Sequence, residues 1–318
     1  MPAVSVLIPC YSSERFIART LESLQRQTFA DWECIVVDDG SPDDSVHIVR
    51  SIAAFDARIR VLQQPNGGVC RARNAAHAAS SSGSRYLLFL DADDCLEADM
   101  LETLVSYLDQ HEDVCLTYCA FTCIGEADEL IPPGDRRLPG FVPTRLVPTK
   151  FGVKALPPTV AETPFTSIYA AWAGLLPSNS LLRRSVYDKT PGWDETFGHL
   201  AEDTDVFLQM ALRGSIHYLP RALLRYRRHA NQATSNTARI REQDQKLFHK
   251  WAHIDFTDPE RARVQTARAF RVTRLEPYWW LQFAASHLKS GNRLEGIKCV
   301  LRAARQYALG MRALYAAG

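Results

Sequence analysis

A nine-residue stretch, YLLFLDADD over Tyr86–Asp94, limits the possible folds more than any other part of this sequence. Its first five residues are apolar or aromatic, which predicts a short strand buried on both faces of a sheet. Three carboxylates, Asp91, Asp93 and Asp94, stand at its C-terminal end. Such charges repel one another unless a cation lies between them, and oxygen ligands suit Mg²⁺ or Mn²⁺. The stretch therefore predicts either a divalent-metal site for a nucleotide diphosphate or an Asp-rich turn that caps the next helix.

Strand and helix patterns alternate through the first part of the chain. Val4–Ile8, Trp32–Val37 and Ile59–Gln63 have strand patterns, and a helical pattern follows each of them. This alternation predicts an α/β fold in which helices flank a parallel sheet. Right-handed crossovers bring the carboxyl ends of the strands to one edge, where open α/β sheets bind ligands. The residues expected at this edge are Pro9, Tyr11, Asp38, Asp39, Asn66, Arg73, Asp91 and Asp93.

Glycine-rich phosphate-binding motifs are missing from the sequence. Neither GxGxxG after the first strand nor GxxxxGK[ST] occurs, so dinucleotide-binding dehydrogenases and P-loop enzymes are poor matches. Without a glycine-rich cradle, the charge of bound phosphates must be offset by a metal. This argument independently favours a metal at Asp93.

The later part of the chain departs from the regular alternation. Val114–Ile124 has a strand pattern, whereas the proline-rich segment Ile131–Pro164 has no periodicity and predicts a flexible loop over the cleft. Ile216–Leu219 and Leu223–Tyr226 predict two short strands. Residues 239–318 predict an all-helical extension.

Charge is unevenly distributed between the two parts of the chain. The formal net charge is +1, which argues against a nucleic-acid partner. Residues 239–318 hold 15 lysines and arginines against 7 acidic residues, a net charge of +8, and this leaves −7 for the rest. The basic extension predicts either contact with an anionic membrane surface or a solvated helical face.

The cysteines and the N-terminal residues point to a cytoplasmic protein. Eight cysteines are scattered without a CxxC pair, which is typical of reduced core residues. The apolar run Val4–Pro9 is too short for a signal peptide. No apolar run approaches the roughly 20 residues that a membrane-spanning helix needs.

An ordered set of motifs resembles the family 2 glycosyltransferases of the GT-A fold. The resemblance covers Val4–Thr234, about three quarters of the chain. The motifs are VSVLIPCYSSERFIARTLESLQRQTF, VVDDGSPDDS, NGGVCRARNAA, FLDADD, GWDETF and EDTDVFLQMALRG. The resemblance implies a GT-A, Rossmann-like, mixed but mainly parallel sheet flanked by helices. It also implies an inverting transferase that uses Mn²⁺ or Mg²⁺ and a nucleotide-sugar donor.

The donor and metal residues follow from matching this sequence to the family pattern. Pro9 and Tyr11 should line the uracil or ribose pocket, and Asp39 should accept a hydrogen bond from the ring N–H of the base. Arg73 should contact the base or a phosphate, and Asp91 should bind the ribose hydroxyls. Glu14, Asn66 and Ala92 complete the expected donor site.

The metal and the acceptor side are matched in the same way. Asp93 should ligate the metal, and His229 should ligate the metal or contact the diphosphate. Asp203 should be the general base, with Glu202 beside it in a supporting role. The other reading of these carboxylates is an acidic helix N-terminus. Trp193 and Asp194 should shape the acceptor pocket.

The resemblance also implies a domain layout and partners. Residues 1–238 should form the catalytic domain, with nucleotide-binding and acceptor-binding halves at 1–110 and 111–238, and residues 239–318 the extension. A UDP-sugar is the expected donor, although dTDP presents the same ring N–H, and a surface glycan or lipid-linked precursor is the expected acceptor. The alternative is a non-catalytic nucleotide-sugar-binding or scaffold protein of the same fold. A nucleotidyltransferase would need a basic, glycine-rich loop that Cys10–Glu14 lacks.

Overall fold

A computed structural model describes residues 1–132, 145–149, 152–171, 174–198, 200–230, 232, 237–254 and 256–316. The chain divides into two compact units. The first comprises Met1–Phe141 with Leu175–Ala252, and the second Val142–Gly174 with His253–Gly318. The predicted boundary after residue 238 stays a prediction.

The strands and helices of the described residues are numbered in chain order. The strands are β1 (Val4–Cys10), β2 (Trp32–Asp38), β3 (Ile59–Gln63), β4 (Tyr86–Phe89), β5 (Cys95–Leu96), β6 (Val114–Ile124), β7 (Leu130–Ile131), β8 (Leu146–Thr149), β9 (Gly152–Ala155), β10 (Ser180–Arg183) and β11 (Ser215–Arg227). The helices are α1 (Ile17–Gln25), α2 (Ser45–Ala53), α3 (Val69–Ala79), α4 (Met100–Gln110), α5 (Phe165–Ala171), α6 (Arg184–Tyr187), α7 (Glu202–Arg213), α8 (Thr237–His253), α9 (Asp258–Phe270), α10 (Glu276–Lys289) and α11 (Arg293–Ala316). A π-helical turn over Arg271–Leu275 joins α9 to α10.

The first unit is built around one mixed sheet with the order β3-β2-β1-β4-β10-β6-β11-β5, and β7 pairs with β6. The first four strands in this order are parallel. Strand β10 is antiparallel to both its neighbours, and β11 runs parallel to β6. Cys10 pairs with Asp38 across β1 and β2, and Leu7 pairs with Phe89 across β1 and β4. The carboxyl ends of β1, β2 and β4 therefore share one edge, and the predicted mixed, mainly parallel α/β sheet is confirmed.

Continuous apolar runs explain why these strands lie at the centre. Val6 and Ile8 of β1 and Leu88 of β4 are fully buried in one core with Leu21 of α1 and Leu104 of α4. A strand that is covered by helices on both faces needs apolar residues at every position, not at alternate ones. This pattern fixes β1 and β4 in the middle and brings Asp91 and Asp93 to the edge that the carboxyl ends of the strands share.

The prediction of two short strands on either side of Pro220 was wrong in detail. The segments expected as two short strands form the single strand β11, whose pairing with β6 is irregular between Leu219 and Leu224. Pro220 lies in this irregular part, and proline has no N–H to donate to a ladder. The interruption seen in the sequence is therefore a local fault in one long strand.

The proline-rich segment also contains regular structure. Residues 133–144, 150 and 151 lie outside the described residues, but β8 and β9 form an antiparallel hairpin, and helix α5 follows. Leu146 and Val153 of the hairpin pack against Phe270 and Leu275. Because these partners lie more than a hundred residues later, the local pattern does not reveal the hairpin. The expected position over a cleft stays a prediction.

The second unit also holds the C-terminal helices. Helices α10 and α11 form an antiparallel pair joined by a turn at Gly291, whose φ is +83°. Gly296 of α11 lies against α10, since a Cβ there would come within 2.8 Å of Leu288. Of the helices that the structure describes, none combines the length and the apolar content needed to cross a bilayer.

Candidate active site

The loop after β4 is held in place from several sides. The main-chain N–H of Asp91 donates to the Ser178 hydroxyl at 3.1 Å. The Thr20 hydroxyl donates to the carbonyl of Ala92 at 2.9 Å. Ala92 is buried, whereas the side chains of Asp91 and Asp93 remain partly exposed. The loop therefore presents these two carboxylates at fixed positions on the sheet edge.

Asp93 and His229 form a pair at this edge. His229 Nε2 lies 2.9 Å from Asp93 Oδ2. Arg227, fully buried at the end of β11, donates through Nε to the carbonyl of Asp93 at 2.7 Å and through its main-chain N–H to Asp94 Oδ1 at 3.0 Å. The side chain of Asp94 thus anchors β11, and the predicted metal residues Asp93 and His229 are brought together.

The side chains of Asp93 and His229 suit a divalent cation that a substrate also binds. Among the described residues, no three His, Cys, Asp or Glu side chains group as metal ligands. Asp93 and His229 provide one carboxylate oxygen and one imidazole nitrogen. Mg²⁺ is commonly bound by one or two carboxylates together with substrate phosphates and water. The two residues therefore fit a metal whose remaining ligands come from a diphosphate.

Arg73 of α3 joins the β4 loop to the start of α7. Its Nη2 donates to Asp91 Oδ1 at 2.7 Å, and its Nη1 donates to Glu202 Oε1 at 3.2 Å. Its guanidinium carbon lies 4.2 Å from the centre of the Trp193 ring, and the side chain is only 3% exposed. Arg73 Nε and Glu202 Oε2 are buried without a hydrogen-bond partner among the described residues. We call this set, Asp91, Arg73 and Glu202, the Arg73 bridge.

The backbone that leads into α7 is strained. Leu200 and Ala201 have φ values of +87° and +71°, which residues with a Cβ rarely adopt. Each such residue costs about 1–3 kcal/mol, and strain of this kind clusters at functional sites. Helix α7 begins directly after these two residues, so Glu202 and Asp203 occupy its first two positions.

Asp203 has the electrostatics of a group that titrates near neutral pH. Its Oδ1 accepts from the Thr204 N–H at 2.6 Å. Burial, followed by the nearby charge of Glu202, raises the pKa of Asp203 to about 7. Burial also raises the pKa of Glu202, although Arg73 opposes this. A carboxylate with a pKa near the working pH suits general-base catalysis.

The GWDETF loop is fastened to α3. Asn74 accepts from the Trp193 N–H at 3.1 Å and donates to the Trp193 carbonyl at 2.8 Å. Gly192 has a φ of +76°, and a Cβ there would lie 3.2 Å from Asn74 Oδ1. Both the backbone conformation and the limited space therefore favour glycine at this position. Trp193 is buried beneath Arg73, and Asp194 Oδ1 accepts from the Thr196 N–H at 2.9 Å. The predicted acceptor contacts of Trp193 and Asp194 stay predictions.

The ammonium group of a lysine also holds the GWDETF loop, and sequence reasoning missed this contact. Lys250 of α8 donates to Asp194 at 2.7 Å and to Asp205 at 2.8 Å. The indole N–H of Trp251 donates to the other oxygen of Asp205 at 2.8 Å. Lys250 and Trp251 stand in no motif, and the acidic start of α7 alone hinted that Asp205 needs a partner. We call the set Asp194, Lys250, Asp205 and Trp251 the Lys250 clamp.

Asp39 organises the turn before α3. It is buried, and its carboxylate accepts from the N–H groups of Gly67 and Gly68 at 2.9 and 2.8 Å and from the Gln64 amide at 2.7 Å. The Asn66 side chain donates to the Asp39 carbonyl at 3.0 Å. Asp39 and Asn66 are therefore brought together. The predicted contact of Asp39 with a base stays a prediction.

The loop after β1 contributes three more predicted residues. Pro9 pairs with Val37 of β2, and the side chain of Tyr11 is half exposed. Glu14 accepts from the N–H of Asp44 at 3.0 Å and so contacts the residues that precede α2. The roles of all three in donor binding stay predictions.

Related sequences agree with this picture over part of the chain. Residues 5–189 match the family model described as Glycosyl transferase family 2. The chain is 41% identical over 112 residues to the uncharacterized glycosyltransferase EpsJ of Bacillus subtilis, covering 35% of this chain and 32% of EpsJ. It is 36% identical over 102 residues to the chondroitin synthase of Pasteurella multocida, covering 32% of this chain and 10% of that protein. The match thus spans about a third of EpsJ and a tenth of the synthase.

Solved structures resemble the fold over nearly the whole chain. Residues 1–349 of S. aureus TarS in complex with UDP-GlcNAc superpose with a TM-score of 0.62 at 20% identity, covering 98% of this chain and 81% of TarS. The mannosyltransferase PcManGT of Pyrobaculum calidifontis, in complex with GDP-Man and Mn²⁺, gives 0.59 at 16% identity, covering 99% and 80%. The predicted GT-A fold is confirmed. Since the family match covers more than half of the chain, this protein belongs to glycosyl transferase family 2.

Proposed function

We propose that this protein is an inverting glycosyltransferase that moves a sugar from a UDP-sugar to an acceptor hydroxyl. The Arg73 bridge is the observation that carries the proposal. It ties Asp91, at the end of a central strand, to Glu202, the neighbour of Asp203. One guanidinium thereby holds the proposed donor side and the proposed base in a single arrangement.

Asp203 would act as the general base. Its carboxylate takes the proton of the acceptor hydroxyl while the hydroxyl oxygen forms a bond to the anomeric carbon of the sugar. The bond between that carbon and the diphosphate oxygen breaks on the opposite face, and the nucleoside diphosphate leaves with the electron pair. The configuration at the anomeric carbon is therefore inverted. A pKa of about 7 lets Asp203 accept this proton at neutral pH.

Asp93 and His229 would hold a divalent cation, Mn²⁺ or Mg²⁺, together with the donor diphosphate. When bound, such an ion offsets the negative charge that develops on the leaving diphosphate. Arg227 supports this pair because it fixes the carbonyl of Asp93. The presence of Mn²⁺ in the PcManGT complex supports the choice of metal.

Asp39 and the residues around it would form the nucleotide pocket. Asp39 Oδ2 accepts from one N–H among the described residues, and a carboxylate oxygen can accept two hydrogen bonds. It would therefore also accept from the ring N–H of uracil, and Pro9, Tyr11, Glu14, Asn66 and Ala92 would complete the pocket. TarS binds UDP-GlcNAc, which supports a UDP-sugar. The chondroitin and hyaluronan synthases among the relatives support a polysaccharide as acceptor, and a lipid-linked precursor is the alternative.

Nucleotide binding and turnover test this proposal. Thermal unfolding is measured with UDP, dTDP, GDP and CDP, each with and without Mn²⁺. UDP release, in which water takes the sugar in place of the acceptor hydroxyl, is then measured with UDP-GlcNAc, UDP-glucose and UDP-galactose. A ligand at 100 times its Kd stabilises the folded state by about 2.7 kcal/mol, which raises the melting temperature by several degrees. We expect stabilisation by UDP that requires Mn²⁺, and release of UDP from at least one donor.

The variants Asp93→Ala and Asp31→Ala make the metal assignment specific. Asp31 is exposed in the turn before β2, so its replacement controls for the loss of one carboxylate. We expect Asp93→Ala alone to lose the Mn²⁺-dependent stabilisation. Stabilisation by UDP without any UDP release would instead favour the non-catalytic binding protein, and the absence of both would contradict the proposal.

We also propose that the α10–α11 hairpin binds an anionic membrane surface. Its described part exposes the apolar side chains of Leu281, Leu288, Leu294, Ile297 and Leu301. The same two helices also expose the basic side chains of Lys289, Arg293, Lys298, Arg302 and Arg305. An apolar face bordered by lysine and arginine is typical of helices that lie on anionic bilayers. Such binding would bring the enzyme to a lipid-linked acceptor.

Co-sedimentation with vesicles tests this second proposal. We expect binding to vesicles of phosphatidylglycerol and phosphatidylcholine, weaker binding at high salt, and none to phosphatidylcholine alone. The variant Leu294→Ser/Leu301→Ser should lose binding, whereas Leu130→Ser, a change at an exposed leucine of the first unit, should retain it. Equal binding by both variants would contradict the assignment of the surface.

A further inference from the structure

The Lys250 clamp includes Asp194 of the GWDETF loop, which we now call the acceptor loop, and it lies outside the matched family region, which ends at residue 189. We propose that Lys250 is a positioning residue for sugar transfer, which holds the acceptor loop and the first turn of α7 in register by joining Asp194 to Asp205. The inference rests on the proposed function, because it assigns Lys250 a role in the same reaction.

The clamp is almost saturated with hydrogen bonds. Lys250 Nζ donates to Asp194 Oδ2 at 2.7 Å and to Asp205 Oδ2 at 2.8 Å. The second oxygen of Asp194 accepts from the Thr196 N–H, and that of Asp205 accepts from Trp251. Every carboxylate oxygen of the clamp therefore has a donor. Asp205 is 1% exposed, so a buried charge depends on this arrangement.

These partners argue against a role for the lysine in binding an anionic group. One ammonium faces two carboxylates, so the clamp carries a net charge of −1 and does not attract an anionic group of a substrate. Burial would lower the pKa of Lys250, but its hydrogen bonds to Asp194 and Asp205 outweigh burial and raise it. The lysine thus stays charged at neutral pH, and its ion pairs with Asp194 and Asp205 are maintained.

The clamp and the Arg73 bridge hold the same face of the first turn of α7 at two positions. Asp205 follows Glu202 by three residues, and residues three apart are neighbours on a helix surface. The bridge holds the first turn through Glu202, and the clamp holds it through Asp205. Asp203 lies between these two fixed points.

Helix α8, which carries Lys250, also contacts the acceptor loop through a second lysine. Lys246, one turn before Lys250, donates to the carbonyl of Thr196. The ammonium groups of Lys246 and Lys250 lie 5.0 and 5.3 Å from the centre of the Phe197 ring. Helix α8 therefore contacts the loop at three positions, Asp194, Thr196 and Phe197. Loss of Lys250 should release the end of the loop that adjoins Trp193.

Three variants separate positioning from general stability. Lys250→Met removes the ammonium but keeps a side chain of similar length. Lys189→Met is the matched control, since Lys189 is exposed at the end of α6. The double variant Lys250→Met/Asp205→Asn removes the buried charge that Lys250→Met leaves behind, while an amide oxygen can still accept from Trp251. Thermal unfolding checks that each variant is folded.

Three measurements are made on each variant. They are the affinity for UDP with Mn²⁺, the rate of UDP release from UDP-GlcNAc, and hydrogen–deuterium exchange over residues 193–206. For Lys250→Met we expect UDP affinity within twofold of wild type, release slowed about 10- to 100-fold by misplacement of the base and loop, and faster exchange over 193–206. The double variant should recover part of the lost rate, and Lys189→Met should match wild type.

Unchanged release and unchanged exchange in Lys250→Met would overturn the proposal, as would an equal loss of UDP affinity, since that indicates a general defect. If wild type neither binds UDP nor releases it, the proposed function fails on its own. The exchange measurement then still tests the clamp, because slow exchange over 193–206 that depends on Lys250 requires no substrate.

Discussion

The Arg73 bridge and the Lys250 clamp solve the same problem in different ways. Each places one cation between two carboxylates, and together they hold the first turn of α7 at Glu202 and at Asp205. The Arg73 side chain is 3% exposed, whereas that of Lys250 is 25% exposed. The bridge leaves Arg73 Nε and Glu202 Oε2 without partners among the described residues, whereas each carboxylate oxygen of the clamp has a donor.

This difference indicates different duties. A buried polar atom without a partner costs about 1–3 kcal/mol, so its retention needs a reason such as a role in binding or catalysis. Spare hydrogen-bonding capacity would let the bridge exchange hydrogen-bond partners when a nucleotide sugar or an acceptor glycan binds. A saturated clamp has nothing to exchange and serves as a fixed support. The bridge is therefore expected to respond to ligands and the clamp to remain unchanged.

The largest effect is expected at the residue that lies between the two sets. Asp203→Asn removes the proposed base but keeps its shape, so UDP release should slow about 10²- to 10⁴-fold, the usual contribution of general-base catalysis. UDP binding should be retained, because both the bridge and the clamp are intact. Release is measured from UDP-GlcNAc, and affinity by calorimetry.

The variant Asp188→Asn is the control for this prediction, since Asp188 is a partly exposed aspartate after α6. It should turn over at the wild-type rate. If Asp203→Asn also does so, Asp203 is not the base, and the carboxylates at the start of α7 serve the helix N-terminus instead.

A smaller effect should distinguish the bridge from the clamp by stability. Arg73→Met leaves the buried Glu202 and the partly exposed Asp91 without their cation, and breaking a buried ion pair such as Arg73–Glu202 costs about 3–5 kcal/mol. Lys250→Met leaves Asp205 with Trp251 as its remaining donor, and the loss of one donor to a buried group costs about 1–3 kcal/mol. The free energies of unfolding are compared by urea titration.

Arg73→Lys is added in case Arg73→Met does not fold. A lysine keeps the charge but cannot reach two carboxylates with separate nitrogen atoms as a guanidinium does. It should fall between wild type and Arg73→Met. Equal losses of stability in the Arg73 and Lys250 variants would remove the distinction between the more buried bridge and the more exposed clamp.

The parts of the site predicted from sequence are those that short segments encode. Apolar runs in β1 and β4 placed Asp91 and Asp93 at the carboxyl edge, because the parallel register of neighbouring strands follows from the alternation of strand and helix. Family motifs added Asp203 and His229, and the structure indeed sets His229 beside Asp93. Arg73 was expected to contact a base or phosphate, a role that stays a prediction.

The missed parts depend on contacts between distant residues. Arg73 meets Glu202 across 129 positions of the chain, and no periodic pattern reports such a pairing. Lys250 and Trp251 look like ordinary residues of a polar helix until the fold brings Asp205 to them. The β8–β9 hairpin was missed for the same reason, since its apolar partners Phe270 and Leu275 follow much later.

The smallest expected effect concerns pH and tests whether the bridge tunes the base. Asp203 must be deprotonated to accept a proton, and its pKa is about 7, so UDP release should fall as the pH drops through about 7. After burial, the charge of Glu202 is the next cause of this raised pKa, while Arg73 and the N–H of Thr204 act against it. Glu202→Gln removes one negative charge, which lowers the pKa of Asp203 and moves the acidic limb of the profile to lower pH. Glu112→Gln, a change at an exposed glutamate before β6, should leave the limb in place. A limb that stays fixed or moves upward in Glu202→Gln would mean that another group titrates, and the bridge would then support the position of Asp203 but not its proton affinity.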